Sequence, residues 1–107
     1  MDNSEMEGLL IELITNAGEA RSCAMQALYT ARENKWQEVD ECLRQAKQAV
    51  REAHKIQTRL IGMDEGEGKV KVTLITVHAQ DHLMNALLCL DLAEEIIVLR
   101  KEIAVSQ

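Results

Sequence analysis

Between Val72 and Lys101 the chain carries two apolar stripes where a helix of a monomeric bundle needs one. At about 100° per residue, Leu74, Val77, His78, Asp81, Asn85, Leu88, Leu92, Ile96, Leu99 and Ile103 share roughly one third of a helix circumference. Ile75, Ala79, Leu83, Ala86, Leu90, Ala93, Ile97 and Ala104 line a different side. One stripe buries against the rest of its own chain; the other calls for a second partner. The first stripe is interrupted by the polar run His78-Ala79-Gln80-Asp81-His82, in which residues three and four apart share a surface.

The remainder of the chain favours the same secondary structure. With no Pro, five Gly and abundant Ala, Leu, Glu, Gln, Lys and Arg, the 107 residues read as one all-α domain. Eighteen acidic against twelve basic side chains give a net charge of −6 and no basic stripe for a phosphate backbone, which argues against nucleic acid as a partner. Cys23, Cys42 and Cys89 are isolated and odd in number, a pattern suited to a reducing compartment. The acidic N-terminal stretch has no secretory apolar region, and no apolar run reaches about 18 residues, so the expectation is a cytoplasmic protein without membrane insertion.

Taken in order, Ser4-Glu5-Met6-Glu7 matches a capping box and predicts a first helix over 5–32, with Leu9, Leu10, Leu13, Ile14, Ala17, Ala20, Ala24, Ala27, Leu28 and Ala31 at helical spacing. Gly18 inside that run costs about 1 kcal/mol relative to Ala and marks either a close helix approach or a weak spot. Asn34 with Gln37 forms a second capping box ahead of a helix over 36–61, whose face is Trp36, Val39, Leu43, Ala46, Val50, Ala53, Gln57 and Leu60. Gly62 is the expected terminator, with Arg59 near the negative end of the dipole, and 63–68 reads as a mobile acidic turn. The β-branched stretch from Lys69 to Val77 reads locally as a strand, but a lone strand leaves its backbone groups unpaired. The third helix is therefore expected over 70–104.

The expected architecture is an antiparallel three-helix bundle whose third helix lies beside its own copies in a coiled-coil-like seam. Periodicity does not separate a trimer from a dimer. On a three-fold axis, three copies of Asp81 repel one another unless a hard divalent cation such as Mg²⁺ sits among them; the alternative is a solvated Asp beside a shallow groove. His78 and His82 lie one turn apart, but no third ligand stands at zinc-motif spacing. An imidazole can accept a phosphoryl group if one nitrogen is free, with His82 and Gln80 as candidate donors, although Gln80 points away from the His78 side. A structural histidine is the more common situation. Gln57 reads as the anchor of a buried hydrogen-bond network, Trp36 as a cover over the bundle end, and His54 as a flank of the core. Arg21 reads as a surface cation or a phosphoryl-site support.

Several segments together resemble the lactose/cellobiose-type enzyme IIA family of the bacterial phosphoenolpyruvate-dependent sugar phosphotransferase system. They are Asn16-Ala17-Gly18-Glu19-Ala20-Arg21-Ser22, Glu52-Ala53-His54 with Gln57-Thr58, Gly66-Glu67-Gly68, and His78-Ala79-Gln80-Asp81-His82-Leu83-Met84. The resemblance spans nearly the whole chain and is strongest to the N,N′-diacetylchitobiose/cellobiose branch. It implies a homotrimer of three-helix subunits, His78 as the tele-phosphohistidine acceptor, and His82 as its supporting neighbour. It further implies that Asp81 of three subunits shares a divalent metal. Phosphate then comes from the phosphocarrier HPr and passes to a cysteine of the cognate IIB, serving β-disaccharide uptake through the IIC permease. A non-enzymatic oligomeric helical adaptor, with the polar cluster setting register, is the competing expectation.

Overall fold

The computed structural model describes residues 3–106 as three helices, α1 (Asn3–Arg32), α2 (Trp36–Asp64) and α3 (Leu74–Ser106), with no strand among the described residues. Short connections make α2 antiparallel to both neighbours, and the bundle is a rod of 57 × 20 × 20 Å. The helix α1 packs closely along both other helices, whereas α2 and α3 approach each other less closely and share the core mainly through side chains.

The core runs the length of the rod as stacked layers. At one end Leu9, Leu10 and Leu13 of α1 meet Ala53 and Leu60 of α2 and Ala79 and Leu83 of α3; at the other Ala27 and Ala31 meet Val39 and Ile97. The waist is built from Ala17, Ala20, Ala49 and Ala86, small side chains that let the helix axes approach closely. Trp36 packs on the far end, with the Lys101 ammonium 5.5 Å from its ring centroid, a cation–π contact that ties α2 to the last turns of α3.

Helix ends depart from the sequence expectations in four places. Ser4 lies inside α1 and not ahead of it. Asn34 does not cap α2, which has Lys35 at its N-cap and no side-chain cap bond. Asn34 instead takes φ 58° and closes α1 in a Schellman arrangement: its N–H donates to Ala31 O (3.1 Å), and the Lys35 N–H donates to Thr30 O (3.3 Å). Asparagine tolerates the left-handed region, and here that property outweighs its use as an N-cap. Gly62 does not end α2, which continues to Asp64 with Glu65 left-handed; Gly66 (φ 68°) and Gly68 (φ 73°) then carry the turn.

The third helix begins at Leu74 and not at residue 70. Asp64 competes for the preceding segment, its Oδ1 accepting the Val70 N–H at 2.9 Å while its carbonyl accepts from Glu67 (3.0 Å) and Lys69 (3.5 Å). Thr73 then sets the boundary, its Oγ1 accepting the Thr76 N–H at 3.3 Å as an N-cap does, while the Thr76 hydroxyl donates to Lys71 O at 3.0 Å. Arg59 does not lean on the α2 terminus; it pairs with Glu5 of α1 at 2.8 Å.

Candidate functional site

The polar run falls in the second and third turns of α3, beyond the threonine cap, where the helix is rigid on one side and open on the other. Ala79 and Leu83 are buried against α1 and α2, which turns His78, Asp81, Met84 and Asn85 outward. His78 is exposed and His82 half-buried beneath it, their ring centroids 4.2 Å apart and the planes tilted by 55°. Among the described residues no hydrogen bond or ion pair fixes the His78 ring. Gln80, as its position two residues on requires, faces α2: its Nε2 donates to Gln57 Oε1 at 2.6 Å and the Gln57 Nε2 donates back to Gln80 Oε1 at 2.7 Å. The anticipated network at Gln57 is thus a reciprocal amide pair, whose partner the sequence did not disclose.

A groove of about 690 Å³ runs between α1 and α3. Asp81, His82 and Asn85 line it from α3 near the histidine pair, Gly18, Arg21 and Ser22 face them from α1, and Leu88, Leu92 and Ile96 extend it as an apolar trough. A Cβ at Gly18 would meet nothing within 4 Å, so this glycine serves no close helix approach within one chain. Leu88 and Leu92 remain 57% and 53% exposed. The first of the two apolar stripes is therefore left uncovered by the chain itself, while the second is buried from Ala79 to Ile97. Ile75 of that second stripe is exposed in the first turn of α3.

The other singled-out residues are dispersed. His54 is exposed on α2 and takes no part in the cluster. Cys23 is buried, its thiol donating to Glu19 Oε1 at 3.3 Å with Gln45 Oε1 as the alternative acceptor at 3.6 Å, and burial aided by the Glu19 carboxylate pushes it from the usual 9.0 to about 11. A thiol held protonated in this way is a poor nucleophile at neutral pH. Sequence reasoning missed the threonine cap, although Thr73 directly before Leu74 is a residue type that starts helices. No helix among the described residues is long and apolar enough to cross a membrane.

Comparison with known proteins places this geometry in a defined setting. The chain is 43% identical over 99 residues to the N,N′-diacetylchitobiose-specific EIIA component of Escherichia coli K12, covering 92% of this chain and 85% of that one. The crystal structure of the cellobiose-specific enzyme IIA from Bacillus anthracis superposes with a TM-score of 0.91 at 41% identity, over 100% of this chain and 96% of the other. The solution structure of the chitobiose IIA–HPr complex from Escherichia coli matches with a TM-score of 0.79 at 42% identity, over 92% and 95% of the two chains. Residues 8–101 match the family described as the lactose/cellobiose-specific IIA subunit of the PTS system, and this chain belongs to that family.

Proposed function

We propose that His78 carries a phosphoryl group from HPr to the cysteine of a cognate IIB component, in the cytoplasm, during uptake of a β-disaccharide through IIC. The single observation that carries this reading is an imidazole exposed on a rigid helix, with an apolar surround at Leu74, Val77 and Met84 suited to partner docking. The relative solved in complex with HPr supports the choice of donor. In the first step the neutral Nε2 of His78 attacks phosphorus as the bond to the donor nitrogen breaks. In the second the IIB thiolate attacks, and the His78 bond breaks. Charge on the three equatorial oxygens changes little between donor and acceptor, so positioning and hydrogen-bond donors suffice and no ATP is needed. His82, 4.2 Å from the acceptor ring, is the neighbour able to hold a proton or donate to the transferred group.

The same reading makes the subunit a homotrimer in which the open stripe of α3 packs on two further copies. Asp81 interrupts that stripe and brings three carboxylates to the axis. Hard oxygen donors of this kind suit Mg²⁺, which the three Asp81 carboxylates would hold and which would neutralise their charge. A purely structural adaptor leaves the exposed imidazole without a task.

The test is labelling with phosphoenolpyruvate, enzyme I and HPr. Wild type takes up acid-labile, base-stable phosphate and His78→Ala takes up none. Equal labelling of the two, or none in either, overturns the assignment.

A further inference from the structure

We infer that Gln57 is a positioning residue for transfer at His78, acting through its amide pair with Gln80 to hold the His78–His82 turn at one rotation about the α3 axis. The inference rests on His78 as the acceptor.

The argument begins with what fixes the orientation of that turn. His78 is exposed, and among the described residues its ring has a ring contact with His82 and no hydrogen bond to fix it, so the imidazole goes where the α3 backbone carries it. On the inner side the turn rests on Ala79, with Leu83 of the same buried cluster one turn on, apolar contacts that carry no hydrogen-bond direction. The backbones of α2 and α3 approach closely at few points, and among the described residues the only hydrogen bonds joining them are the two between Gln57 and Gln80, at 2.7 and 2.6 Å. Lys47 and Glu94 add one ion pair at 3.6 Å further along, exposed and weakly directional.

The amide pair is directional where its surroundings are not. Each group donates one N–H and accepts on one oxygen, so the pair forms only at one height and one rotation of α3 against α2. It stands on the rim of the Leu10, Leu13, Ala53, Leu60, Leu83 layer, where an apolar pair would pack with less desolvation cost. Polar groups kept at such a place serve register. With side chains reaching about 5–6 Å from a helix axis, a rotation of roughly 15° sweeps the imidazole by about 1.5 Å. Misplacement on the order of 1 Å costs an in-line reaction about 100-fold.

The test compares wild type, Gln57→Leu and Gln57→Glu in single-turnover phosphorylation by phospho-HPr. Gln57→Leu is expected to lower the rate at saturating donor about tenfold or more, with the half-saturating HPr concentration unchanged within about twofold. Gln57→Glu is a switch. Its protonated carboxyl donates and accepts as the amide does, whereas its carboxylate only accepts. Its rate, normalised to wild type at each pH, therefore falls along a one-proton curve as pH rises; a merely stabilising role leaves that ratio flat. Gln57→Leu at the wild-type rate, or a flat ratio for Gln57→Glu, overturns the inference while leaving His78 as acceptor. A wild type that takes no label overturns the acceptor assignment itself, and the positioning role with it. If Gln57→Leu fails to fold, the pH curve of Gln57→Glu decides.

Discussion

On the inner face of α3, Ala79, Leu83, Ala86, Leu90, Ala93 and Ile97 alternate small and large and are all buried; on the outer face Leu88, Leu92, Ile96, Leu99 and Ile103 are uniformly large and open. Alternation suits a helix wedged between two neighbours, since each methyl makes room for the branched side chain beside it. A row of large side chains suits meeting a copy of itself, where knobs enter holes of the same pattern. The outer row also changes along its length. Its first part carries His78, Asp81 and Asn85, and its second part is purely apolar. The proposed chemistry and the proposed association thus draw on one stripe, His78 near its start and the large apolar side chains further along, with Asp81 between them.

The largest expected effect contrasts the two faces directly. Leu83→Ala should destabilise the fold by about 2–5 kcal/mol at every protein concentration. Leu92→Glu should change the stability of the single chain by about 0.5 kcal/mol or less, while sedimentation shifts to smaller species. A Leu92→Glu protein that melts as early as Leu83→Ala at high dilution would remove the distinction.

Asp81→Leu sharpens the outer face. Replacing converging carboxylates with apolar groups should retain or strengthen the assembly, and chelator should weaken wild type but not the variant, as measured by sedimentation equilibrium. A variant that is monomeric where wild type is not contradicts the placement of Asp81 on an axis.

Gly18→Ala asks how the groove between the faces is used. The added methyl meets open space in one chain, so the fold should gain about 1 kcal/mol in thermal melts at low concentration. A loss of association at high concentration would show that another copy fills the groove.

The smallest effect is at Cys23. Its folded pKa lies above the unfolded one, so its contribution is present in full below pH 9.0 and is lost as pH rises toward about 11. Cys23→Ala should flatten the alkaline limb of a stability profile, and native wild type should resist alkylation at this thiol near pH 7. Rapid alkylation of Cys23 in the folded protein would contradict its burial.

The legible parts of the site and the fold were those governed by local periodicity. Both stripes of α3 follow from spacing, as does the inner face of α1, because 3.6 residues per turn relates sequence separation to direction. Helix ends were harder to read. Asn34 suits either an N-cap or a left-handed C-terminal position, and Lys69–Val77 has the composition of a strand; in both places the choice fell to backbone partners brought near by the fold.

By itself the sequence determined the helical class, the shared stripe of His78 and Asp81, and the existence of one apolar face too many. Tertiary structure alone decided that Gln57 meets Gln80, that Arg59 reaches Glu5, and that the groove opens between α1 and α3. The reason is physical: helical periodicity specifies which way a side chain points, whereas the group it meets depends on the height and rotation at which separate helices settle, a property of packing that no single segment contains.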